Sequence, residues 1–70
     1  SQLNQNFFDF INKYRVEEFK IQSILKANSH LSIMDIAYNC GFNSKASFYR
    51  AFKKFEGISP TAFIERSHKK

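Results

Sequence analysis

Apolar residues recur along this chain at intervals of three and four, with polar residues between them. Because successive helical residues turn by about 100°, that spacing lines apolar side chains up on one helix face. The first such run covers residues 7–26. Asn6 stands where a cap is wanted, Asp9 lies near the positive N-terminal end, and Lys26 lies near the other end. Phe7, Phe10, Ile11, Tyr14, Ile21 and Leu25 share one face, which predicts that this stripe is core. Glu18 interrupts the stripe, and Phe8 with Phe19 forms a second apolar line to one side. A helix with two apolar lines needs cover from two directions, so it is expected to bridge two packing units.

The periodicity breaks at 27–31, ANSHL, which reads as a loop. Ser32 followed by Asp35 approximates a capping box and predicts a short helix over 33–40, with Ile33, Ile36, Ala37 and Cys40 apolar. Gly41 falls where a helix end favours positive φ, and Phe42 beside it can fold back onto the core. Asn43 and Ser44 offer caps for a helix over 45–55 with Phe48, Ala51, Phe52 and Phe55 inward. Gly57 ends it, and Pro60 opens a last short helix over 60–66 carrying Phe63 and Ile64. The tail SHKK is expected to fray. With only two glycines and one proline, the pattern predicts an all-α fold without strands.

Charge sharpens this picture. The chain of 70 residues carries a formal net charge of +5, and the excess lies in its second half. Four cations, Lys45, Arg50, Lys53 and Lys54, fall between Asn43 and Phe55 without an acid among them. A cluster of this kind is either a solvated helix face or the footprint of a polyanion. A single cysteine, Cys40, excludes an internal disulfide and suits a reducing compartment; it reads as a small core hydrophobe. His30 and His68 have no partner at ligand spacing, so no zinc site and no cofactor are expected. Serine, histidine and aspartate are present, but no nucleophile turn or pocket-sized core accompanies them, and the chain does not read as an enzyme. No apolar run approaches the ~20 residues of a membrane span, and SQLNQNFF lacks the features of a signal peptide. The expectation is a soluble, cytoplasmic protein.

Two short helices joined by a tight glycine turn, the second basic on its outer face, are the parts of a helix-turn-helix. Ala37 is small enough for the next helix to cross closely, and Phe48 with Phe52 locks the crossing. The same rotation turns Lys45, Ala46, Tyr49, Arg50 and Lys53 outward.

The segment IMDIAYNCGFNSKASFYRAFKKFEGISPTAF resembles the second helix-turn-helix of AraC/XylS transcription regulators. The likeness is carried by I-x-x-I-A-x-x-x-G-F at 33–42, F-x-R-x-F-K-K at 48–54 and G-x-S-P at 57–60. Upstream, F-x-x-F-I-x-x-x-R-V at 7–16 is similar to the family's linker helix. The resemblance implies a homeodomain-like three-helix unit over 32–67 preceded by a linker helix over 6–26. Residues 1–5 then read as a remnant of the first helix-turn-helix, because SQLNQ runs into NFFDF without the family's glycine turn, and family residues are expected to be missing between 5 and 6. Phe19 stands where the family often has alanine.

The resemblance further implies that helix 45–55 lies in the major groove of double-stranded DNA. Arg50 is placed to bond guanine O6 and N7 as a pair. Lys45 is placed to read guanine or to hold phosphate, Ala46 to offer a methyl to thymine, and Tyr49 to pack on a base or sugar. Ser44, Ser47, Lys53 and Lys54 are expected near phosphates, with Lys54 alternatively solvated. By family analogy the partners are duplex DNA, RNA polymerase and an N-terminal signal domain outside this chain, and not a membrane. The rival reading is a basic, Phe-rich helical module that binds an anionic membrane or a protein partner.

Overall fold

The computed structural model describes the backbone of residues 2–68 and the side chains of residues 7–67. All regular structure among the described residues is helical, as the apolar spacing predicts. Helix α1 covers Gln2–Ser23, a 3-10 turn covers Lys26–Asn28, and α2 (Ile33–Asn39), α3 (Lys45–Glu56) and α4 (Pro60–His68) follow. At 1.5 Å per residue the 22 residues of α1 span about 33 Å, which gives the molecule its long dimension of 42 Å against 21 and 18 Å across.

Both ends of α1 differ from the expected 7–26. The helix starts at Gln2 and is continuous across residues 5 and 6, where no glycine or proline interrupts it. Asp9 is therefore well past the first turn, beyond the reach of the terminal dipole. At the other end the Asn28 side-chain amide donates to the Gln22 carbonyl at 2.9 Å and to its Oε1 at 3.0 Å. These bonds satisfy an end carbonyl and draw the chain into the 3-10 turn before residue 26.

The expected core stripe of α1 is a second correction. Phe7, Phe10, Tyr14 and Ile21 are 59, 69, 63 and 54 % exposed, and Leu25 is exposed as well. The buried face instead carries Val16 and Phe19, both fully buried. Periodicity shows that a helix has two apolar lines, but which line meets the rest of the chain depends on where α2 and α3 lie. Phe19 is the hub. Its ring centroid lies 4.7 Å from that of Phe48 and 5.6 Å from that of Phe52. Phe42 reaches Phe48 at 5.1 Å, and Phe63 of α4 reaches Phe52 at 5.6 Å. One tilted and edge-on aromatic cluster thus joins α1, the turn, α3 and α4.

The local signals act as the sequence implies. Asp35 N donates to Ser32 Oγ and Ser32 N donates to Asp35 Oδ2, each at 3.1 Å, which completes the capping box of α2. Gly41 has φ +109°, and a Cβ there would lie 2.9 Å from Arg15 Nε. The turn therefore favours glycine for backbone and space alike. Phe42 N then donates to the Ala37 carbonyl at 3.1 Å, folding the Phe42 ring into the core. Ala37 is fully buried and Ala51 nearly so, and both belong to the same core as Phe19, Phe48 and Phe52. Gly57 caps α3 at φ +79°, and Ser59 Oγ accepts from Ala62 N at 3.1 Å ahead of the buried Pro60. Helix α4 continues through Ser67 to His68, so the first half of the SHKK tail is helical and not frayed as expected, while residues 69–70 and the side chains of 1–6 lie outside what is described.

Candidate nucleic-acid interface

Helix α3 is fixed from beneath by Phe48, Ala51 and Phe52. On the opposite side Ala46, Arg50 and Lys53 are exposed. Lys45 and Tyr49 flank this strip on one side, Ser47 and Lys54 on the other. The eight residues singled out from the sequence thus lie on α3 and its cap, and no acid of α3 interrupts the strip before Glu56.

Each position has distinct surroundings. Tyr49 is half-buried with its ring edge-on to Phe48, centroids 5.4 Å apart, and Lys45 Nζ lies 5.6 Å from the Tyr49 centroid. The phenol is therefore held by packing while the ammonium rests over its face. Ser44 caps the helix: its Oγ accepts from Ser47 N at 3.2 Å, and Ser47 Oγ donates to the Ser44 carbonyl at 3.2 Å. Both hydroxyls are thus engaged in the fold, and of the first-turn N–H groups at this positive helix end that of Ser47 is taken up by the cap. Among the described residues neither Arg50 nor Lys53 is in an ion pair. Lys54 is in one, with Nζ 2.9 Å from Asp9 Oδ1.

Two residues of α1 join the site without having been singled out for it. Asp9 and Asn12 line a cleft of about 200 Å³ with Ser47, Arg50, Ala51, Lys54 and Phe55. Asp9 and Lys54 are 45 positions apart, and no spacing rule connects residues so distant in sequence. A second link, Lys20 Nζ to Glu56 Oε2 at 3.0 Å, ties α1 to the last turn of α3 beside the i,i+3 contact of Lys20 with Glu17 at 3.3 Å. The Glu56 hydrogen bond, outweighing the effect of burial, raises the Lys20 pKa above its ordinary value.

Other chemistry has little to build on. Burial, with a smaller contribution from Glu18, raises the pKa of the half-buried Cys40 thiol, so it stays protonated near neutrality. Among the described residues no three His, Cys, Asp or Glu side chains gather to hold a metal, and no helix is long and apolar enough to cross a membrane.

A family model described as a helix-turn-helix domain, of the AraC type, matches residues 1–66, which takes in α1 together with α2, α3 and nearly all of α4. No curated protein and no solved structure gives a match. With the capped α2, the glycine turn and the basic outer face of α3 on one frame, that match is decisive: the chain belongs to the AraC/XylS family of helix-turn-helix domains, which bind DNA in transcription regulation.

Proposed function

We propose that this chain recognises particular sequences in double-stranded DNA by laying α3 in the major groove, as part of a longer regulator. The observation that carries the reading is the division of α3 into a locked face of Phe48, Ala51 and Phe52 and an outward strip of Ala46, Arg50 and Lys53 without an acid. A helix held this rigidly presents its side chains at fixed heights, which base readout requires. Arg50 bonds a guanine edge as a fork, Ala46 meets a thymine methyl, and Lys45 and Tyr49 contact bases at the N-terminal end of the helix. Ser44, Ser47, Lys53 and Lys54 face phosphates and set the register. Helix α1 serves as the linker: Val16 and Phe19 are used within this unit, and the exposed Phe7, Phe10, Tyr14 and Ile21 pack against the first helix-turn-helix of the regulator. A signal domain upstream and contact with RNA polymerase complete the reading.

A salt titration of duplex binding tests it. About four cations on phosphate give a fall of log K with log salt at a slope of roughly −3 to −4. Weak, steeply salt-dependent binding to duplex DNA supports the reading. Retained affinity with a slope near zero, or adsorption to anionic vesicles without duplex binding, overturns it.

A further inference from the structure

Five of the six acids of this chain are placed away from the basic strip. Glu17 and Glu56 hold Lys20, Glu18 accepts from Gln22 at 2.7 Å, Asp35 closes the capping box, and Glu65 is exposed on α4. Asp9 is the exception. Its Oδ1 lies 2.9 Å from Lys54 Nζ inside the α1–α3 cleft, with Arg50, Ser47 and Asn12 as the other polar lining. No cap requires this carboxylate, since α1 begins at Gln2. Little fold stability rests on it either: the two side chains are 49 and 57 % exposed, and pairs so open to water contribute little.

A carboxylate and a backbone phosphate satisfy an ammonium in the same way, through anionic oxygens at hydrogen-bond distance. We infer that Asp9 is an intramolecular competitor for the DNA backbone, occupying Lys54 until a phosphate displaces it. This rests on the proposed docking of α3. When Lys54 turns to phosphate, the Asp9 carboxylate is left unpaired beside a polyanion. The resulting penalty is the same for every sequence, because Lys54 reads no base. Asp9 thus weakens binding uniformly and leaves discrimination to the contacts that read bases.

The test uses the full chain and a mixed-sequence duplex titrated at several salt concentrations. Asp9→Asn, Lys54→Gln, the double variant and Glu65→Gln are compared, with thermal unfolding confirming that each remains folded. Asp9→Asn is expected to tighten binding roughly two- to fivefold at low salt, with the gain fading as salt rises. Lys54→Gln is expected to weaken binding, and Asp9→Asn is expected to gain less on that background than on the wild-type chain. Glu65→Gln, which removes the same formal charge outside the cleft, is expected to have a smaller effect than Asp9→Asn. Unchanged affinity for Asp9→Asn, or an equal gain with and without Lys54, overturns the inference. Arg50→Ala separates the two levels of failure: if it still weakens binding, only the role of Asp9 is lost, and if it too has no effect, the docking of α3 is wrong as well.

Discussion

Arg50 and Lys53 are both exposed cations on one helix, yet their chemistry separates them. A guanidinium presents a planar fork that matches guanine O6 and N7, whereas an ammonium is a compact point charge that a phosphate satisfies equally well anywhere along the duplex. Arg50 lies one turn after Ala46 and directly before the buried Ala51, so its backbone is held tightly. We expect Arg50→Ala to cost about 1–3 kcal/mol on the preferred site and to relax preference at one G·C position. Lys53→Ala should weaken all sequences alike and reduce the salt slope by about one. Selection of binding sites with each variant checks this. An Arg50→Ala protein that keeps its preference at every position would turn Arg50 into a phosphate clamp.

At the scale of elements, the orientation of α1 against α3 rests on the Phe19 contacts and on Lys20, which bridges to Glu56. Both partners of that bridge are mostly covered, so removing one leaves a charge short of a partner. Lys20→Met should cost about 1–2 kcal/mol, between the values for exposed and fully buried pairs. The raised Lys20 pKa fixes the pH dependence. The charged form is favoured in the fold, so this contribution is complete below the ordinary value of 10.5 and is lost as pH rises through the higher folded value. Urea unfolding of wild type and Lys20→Met from neutral pH into the alkaline range should show a constant gap that closes only above 10.5. A gap that closes near neutrality would rule out the bridge as its source.

For the whole molecule, a domain of this length has a stability of roughly 4–10 kcal/mol at ~0.05–0.15 kcal/mol per residue, and its core packs Val16, Ile36, Ala37 and Ala51 around an aromatic cluster. Phe19→Ala empties the centre of that cluster and should cost about 3–5 kcal/mol, enough to leave the chain at or near its unfolding threshold. Phe10→Ala on the exposed face of the same helix should change stability by less than about 0.5 kcal/mol in this chain. Thermal or urea unfolding of the two variants compares them directly. Equal losses would mean that the buried face of α1 is misidentified. The contrast also bears on function, because the cluster under α3 is what keeps the outward strip at a fixed height.

Much of this was legible in residue order because the signals are local. A capping box needs Ser32 and Asp35 three residues apart, a tight turn needs Gly41 after α2, and an inner face needs Phe48 and Phe52 one turn apart. Each is specified within about one helical turn, so the elements from α2 onward fall close to where the sequence puts them, and the basic strip follows from the same 100° rotation. Helix α1 departs from its local signals in three ways. Asn6 offers a cap, yet the helix already includes Gln2, because residues 2–5 contain nothing to stop it. Its core face was assigned to the longer apolar stripe, although the positions of α2 and α3 select Val16 and Phe19. Asp9 was read as a partner of the helix dipole, although it pairs with Lys54 across 45 positions. Residue order alone specifies α2, α3 and α4, their caps and the basic outer face of α3, because those depend on neighbours along the chain. Which face of α1 is buried and which acid stands beside Lys54 follow instead from the folded arrangement, because those depend on residues that meet only when helices cross.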